Sequence, residues 1–111
     1  MKIEQLQTPA ILLDLDAMER NLDRYHTLAK TWKKELWPMV KTHKSLTLAR
    51  IQKDYGATGF LCGTLDECEA LQQAGFQNIM YAYPVAGTAS LNRITALAAS
   101  CNFYIRLDNL D

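Results

Sequence analysis

An excess of charge of one sign is missing from this sequence: twelve basic and twelve acidic side chains cancel. No electrostatic footprint for nucleic acid or an anionic membrane is therefore expected. Long apolar runs are missing too. None approaches the roughly 20 residues that span a bilayer, and Met1-Lys2-Ile3-Glu4-Gln5-Leu6-Gln7 lacks the apolar segment of a signal peptide. Cysteine is scarce, and its three positions, 62, 68 and 101, match no zinc or redox spacing. They read as reduced thiols of a cytoplasmic protein, with Cys68 and Cys101 acting as small hydrophobes on helices. With only His26 and His43, no multi-histidine metal site can be built. Gly56 and Gly59 are too sparse to make a phosphate loop.

What is present is the composition of a soluble globular domain with a modest core, 49% hydrophobic and 22% charged. No low-complexity linker interrupts it, so residues 1–111 read as one domain. The run Thr8-Pro9-Ala10-Ile11-Leu12-Leu13-Asp14-Leu15 is extended, with Pro9 at its start. Asp16 then suits an N-cap, and Glu19 three residues later completes a capping box. Leu15, Met18, Leu22, Tyr25, Leu28 and Trp32 recur every three or four residues, the face of a helix to about Lys34. Lys30, Lys33 and Lys34 then form a solvated basic helix end.

Three further strand–helix units follow at intervals of about twenty residues. Strands are expected at 36–41, 58–62, 78–83 and 103–107. Helices are expected at 45–55, stopped by Gly56, from the Thr64–Glu67 capping box to Gly75, and from Ser90 through Cys101. Such alternation predicts a parallel sheet with right-handed crossovers. Four units make half of an eight-stranded barrel, so the chain reads as a piece of a longer protein, or as a half that pairs with a second copy.

One stretch carries chemistry. Leu36-Trp37-Pro38-Met39-Val40 reads as a buried strand that delivers Lys41 to the end of a sheet, followed by Thr42-His43-Lys44-Ser45. That end of the strands is where α/β proteins place their sites. A lysine in a partly dry barrel mouth has a lowered pKa, and its free amine can form a Schiff base. His43 faces the same way if the extended geometry persists; otherwise it is a loop histidine bonded to backbone. Lys44 is the local competitor for the Schiff base and otherwise a surface lysine. Cys62 and Thr64 end the next strand, although capping already accounts for Thr64. Tyr83 and Asp108 also end strands and read as packing or capping. His26 reads as a surface residue.

The segments Thr8-Pro9-Ala10, Val40-Lys41-Thr42-His43-Lys44 and Gly63-Thr64-Leu65-Asp66-Glu67 together resemble the alanine-racemase-like (fold-type III) pyridoxal-phosphate enzymes. The match is to the D-threonine aldolase and D-serine dehydratase branch. It runs from Thr8 to Asp108, and the Lys-Thr-His-Lys run is its specific part. The resemblance implies a (β/α)8 barrel of the alanine racemase N-terminal type, of which this chain is the first half. It places residues 8–15 as a strand of a separate β domain built from C-terminal sequence. It implies pyridoxal phosphate bonded to Lys41, with His43 a cofactor-binding candidate, a small amino-acid substrate and a homodimer. The relatives' divalent metal site uses C-terminal residues, so no metal ligand is expected here. Trp37, Pro38 and Met39 depart from the Arg-Pro-His of that branch. By strand alternation Met39 would lie beside Lys41 where relatives offer an imidazole, making the site less polar.

The expected activity is a pyridoxal-phosphate-dependent aldolase, dehydratase or racemase acting on a D-amino acid, with the 111-residue piece inactive alone. The alternatives are a non-catalytic cofactor-carrying homeostasis protein of the same barrel family and a cofactor-free α/β interaction domain.

Overall fold

The computed structural model describes residues 2–108. After a 3-10 turn at Ile3–Gln5 come α1 (Leu15–Thr31), a second 3-10 turn at Val40–Thr42, and α2 (Leu46–Asp54). Then follow β1 (Phe60–Cys62), α3 (Leu65–Gln73), β2 (Asn78–Pro84), α4 (Thr88–Ala98) and β3 (Asn102–Arg106). The strands form one parallel sheet in the order β1-β2-β3. Crossover helices between neighbouring strands produce this order, as the alternation predicts.

The expected strand at 36–41 is reduced to a single parallel bridge, Met39 with Leu61. Two hydrogen bonds hold it to the sheet, Thr58 N–H to Leu36 O at 3.2 Å and Leu61 N–H to Pro38 O at 2.9 Å. Pro38 has no N–H to donate, so the ladder cannot continue through it. Beyond Met39 the chain tightens at once, and Val40 O accepts from both His43 N–H (3.1 Å) and Lys44 N–H (2.8 Å). The alternation expected to set Met39 and His43 beside Lys41 therefore does not run through this turn.

One face of the sheet makes the core. Phe60, Cys62 and Ile79 point toward Ala49, Leu65, Cys68, Leu71, Ile94 and Leu97 of the helices, and all are buried. Phe60 and Phe76 meet edge to face at 5.0 Å. Arg93 of α4 clamps α3, bonding both oxygens of Glu69 at 2.7 and 2.8 Å and also Asp66. The opposite face carries Trp37 and Tyr104, which come from its two outer segments and meet edge to face at 5.2 Å. Gly59 makes room, because a Cβ there would lie 2.5 Å from the Trp37 ring. At the N-terminal end of the strands, Glu35 accepts from Trp37 Nε1 (3.0 Å) and from the Thr58 hydroxyl (3.3 Å). Asn78 Nδ2 donates to Thr58 O, and Asn102 Nδ2 donates to Asn78 Oδ1. A polar ladder thus pins the end of the sheet opposite Lys41.

Helix α1 departs from expectation at both ends. Its N-cap is Asp14, whose carboxylate accepts from Ala17 N–H at 2.9 Å, rather than Asp16. It stops at Thr31, where Lys33 N–H bonds Lys30 O and Lys34 N–H bonds Ala29 O, with Lys33 at φ +52°. Helices α2 and α3 end the same way with Gly56 and Gly75 in the left-handed position. Helix α4 begins at Thr88, two residues before Ser90, with Gly87 as its N-cap. Residues 10–14 pair with no strand among the described residues, and Ile11 is fully exposed.

Candidate active site

Register explains which residues meet at the C-terminal end of the sheet. Met39, Leu61, Met80 and Tyr104 form one row across the chain segments. Lys41 and Gly63 stand two positions beyond that row, and Tyr83 stands three beyond it, where β2 carries an irregularity between Tyr81 and Pro84. The three residues come together. Lys41 Nζ donates to the Tyr83 hydroxyl at 3.0 Å and lies 5.5 Å from the centre of its ring. The lysine stem crosses Gly63 so closely that a Cβ there would sit 3.0 Å from Cδ and 3.2 Å from Cγ. A side chain at residue 63 would crowd the Lys41 stem on this course, and the stem would have to shift by a few tenths of an ångström.

Lys41 is exposed. Its ammonium is held above the ordinary lysine range, chiefly by the hydrogen bond to Tyr83 and the electrostatic attraction of the same side chain, with burial acting the other way and Glu67 adding to the rise. The lowered pKa expected of a dry barrel mouth is not met, because nothing among the described residues encloses the amine.

His43 takes the backbone-bonded arrangement. Its Nδ1 accepts from Ser45 N–H at 3.1 Å, so in the neutral ring the proton resides on Nε2. That Nε2 is buried without a hydrogen-bond partner. Ser45 caps α2 by accepting from Leu48 N–H at 3.3 Å, which ties the turn to the helix that follows.

Lys44, at φ +47°, turns away from Lys41 and pairs with Glu67 Oε1 at 2.9 Å. Glu67 lies in the first turn of α3, with its side chain only 9% exposed. Thr64 caps that helix by accepting from Glu67 N–H at 3.2 Å, as the sequence suggests. The return arm differs, since the Glu67 carboxylate accepts from Gly63 N–H at 2.7 Å. Burial pushes this carboxyl up, but Lys44 and the N–H groups of Gly63 and Thr64 outweigh it and hold it below the usual range.

The other candidates lie elsewhere. Cys62 is fully buried beside Cys68, which raises its thiol pKa together with burial, so it belongs to the core and not to the mouth. His26 is half-buried, not a surface residue: Nε2 is enclosed without a partner, and burial lowers its pKa. Asp108 is exposed. Among the described residues no three His, Cys, Asp or Glu side chains gather as a metal site, and no helix is long and apolar enough to cross a membrane. Sequence reasoning undervalued Tyr83 and Glu67. The available signal was position: Tyr83 ends a strand on the same sheet edge as Lys41, and Glu67 stands four residues after Gly63.

Residues 13–101 match the family model described as alanine racemase, N-terminal domain. The chain belongs to that family. It is 33% identical over 105 residues to D-threo-3-hydroxyaspartate dehydratase of Delftia sp. (strain HT23), covering 95% of this chain and 28% of that protein. D-threonine aldolase of Arthrobacter sp. is 31% identical over 107 residues, with 96% and 28% covered. The crystal structure of D-threonine aldolase from Filomicrobium marinum superposes with a TM-score of 0.92 at 34% identity, covering 96% of this chain and 29% of that one. The chain thus spans a little over a quarter of the length of these relatives. Its parallel strand–helix repeats are the opening part of the family's barrel, as the sequence resemblance implied.

Proposed function

We propose that the intact protein is a pyridoxal-phosphate-dependent enzyme acting on a D-amino acid as an aldolase, dehydratase or racemase, with Lys41 as the residue bonded to the cofactor. The observation that carries this is the placement of Lys41 Nζ at the C-terminal end of the parallel sheet, drawn over a bare Gly63 and bonded to Tyr83 at 3.0 Å. Similarity to a dehydratase and to aldolases of D-amino acids supports the substrate class and favours turnover over mere carriage of the cofactor.

The residues present fit the group. Gly63 leaves the Lys41 stem room that a Cβ would crowd, and His43 keeps a buried, unpartnered Nε2. Lys41 would hold the cofactor through Nζ, and His43 would offer it the Nε2–H. When bound, pyridoxal phosphate draws off the electron pair left when a bond at the amino acid's Cα breaks. Lys41 would be placed to take or give a proton on one face of the amino acid through Nζ. Tyr83 keeps that amine at the sheet end through its hydroxyl. Any divalent metal would be held by residues outside this chain, and a homodimer fits the family resemblance.

Incubating the intact protein with pyridoxal phosphate, reducing with borohydride and mapping the added mass tests the assignment. A pyridoxyl group on Lys41 is expected, and Lys41→Ala should remove colour and activity together. A folded protein with no added group at Lys41 would sink the proposal.

A further inference from the structure

The turn presents two lysines three residues apart, and the structure treats them differently. Lys41 rests on a neutral hydroxyl, that of Tyr83. Lys44 rests on a carboxylate, Glu67, whose side chain is only 9% exposed while that of Lys44 is 64% exposed. We propose that Glu67 is a positioning residue that assigns the cofactor to Lys41, by holding Lys44 in an ion pair and bracing the Gly63 backbone over which Lys41 runs. This rests on the cofactor reading above.

The chemistry of bond formation makes the two partners unequal. Condensation requires the ammonium to give its proton to solvent, the amine nitrogen to add to the aldehyde carbon, and water to leave. When Lys41 loses its proton, Tyr83 can reverse the hydrogen bond, its O–H now donating to the amine, and no charge is stranded. When Lys44 loses its proton or swings away, the enclosed Glu67 carboxylate loses the cation 2.9 Å from its Oε1, which is unfavourable. Gly63 N–H, at 2.7 Å, remains as its short-range donor but carries no net charge. The same carboxylate therefore disfavours the wrong lysine and fixes the backbone beneath the right one. A capping role alone would need neither contact, because Thr64 already caps α3.

The test uses the intact protein and reads the site of modification instead of activity. After loading with pyridoxal phosphate and borohydride reduction, peptide mapping compares Lys41→Ala with Lys41→Ala/Glu67→Gln. Glutamine keeps an acceptor for Gly63 N–H while removing the charge. Label on Lys44 should be near background in the single variant and rise about tenfold in the double one, a modest figure because Lys44 is largely solvated. Equal labelling of Lys44 in both variants would overturn the sorting role while leaving the cofactor assignment intact. A native protein that takes no label on Lys41 would overturn the cofactor reading and this inference with it. A second measurement needs no variant. Brief reductive methylation of the native protein should modify Lys44 several-fold more slowly than the exposed Lys33, and equal rates would refute the proposal.

Discussion

Helix α1 and the unit formed by α2–α4 with the sheet are built from similar amphipathic patterns but meet different fates. Among the described residues every buried core residue, from Val40 to Leu97, lies in the second region or in the turn that leads into it, and α1 contributes none. Its apolar stripe stays open: Leu15 is 59%, Tyr25 58%, Leu28 40% and Trp32 70% exposed. Ala17, Met18, Leu22, His26 and Ala29 are half-buried, and all but Ala29 line a cleft of about 540 Å³ shared with Leu36, Pro38 and Gln52. A periodic stripe states that a face needs cover, but not what covers it. In the sheet unit each helix covers strands close to it in sequence, and the demand is met locally.

Truncations on the two sides give the largest contrast. Phe60→Ala or Ile79→Ala, at 2% and 0% exposure, should cost about 3–5 kcal/mol in urea unfolding, because a well-packed cavity cannot collapse. Tyr25→Ala in α1 should cost under about 1 kcal/mol in this chain, as substitutions at open sites do. Equal costs would mean that α1 is packed as tightly as the sheet unit. In the intact protein a rise in the Tyr25→Ala cost would measure how far the stripe is covered there.

The helix ends show how much could be read in advance. Gly56 and Gly75 announce the stops of α2 and α3, because glycine accepts the left-handed position cheaply and is otherwise poor in helices. Lys33 makes the same stop for α1 with no such signature, which is why the helix reads three residues too long. The Asp14 cap was obscured by Asp16 and Glu19, which satisfy the same pattern two residues on. Parallel order and strand positions were legible because periodicity is a local property. The broken strand before Lys41 was hinted at by Pro38, yet its consequence for the direction of Lys41 depends on backbone turns that periodicity does not register. Tyr83 and Glu67 meet the two lysines only through register across three chain segments, which no spacing along the sequence expresses. Lys33→Gly tests the helix-stop argument directly. It should stabilise the chain by about 0.5–1 kcal/mol, because the left-handed cost falls on lysine and not on glycine. No change would mean that the φ of +52° is borne without strain.

The smallest expected effect concerns the seam between the two regions, where His26 of α1 lies near Gly56 at the end of α2. Its ring faces Tyr55 at 6.2 Å between centroids, and its pKa is lowered by burial. A folded-state pKa below the unfolded value of about 6.5 means that the unfolded chain binds the proton more readily. Stability from this group is therefore complete above that value and is lost as pH falls through the lower folded pKa. Urea midpoints measured from pH 7.5 downward should decline across this range in the native chain, and His26→Gln should flatten the decline while leaving other titrations in place. A slope unchanged by the substitution would show that α1 leaves His26 free to reach water, and the seam would then belong with the open stripe instead of the packed unit.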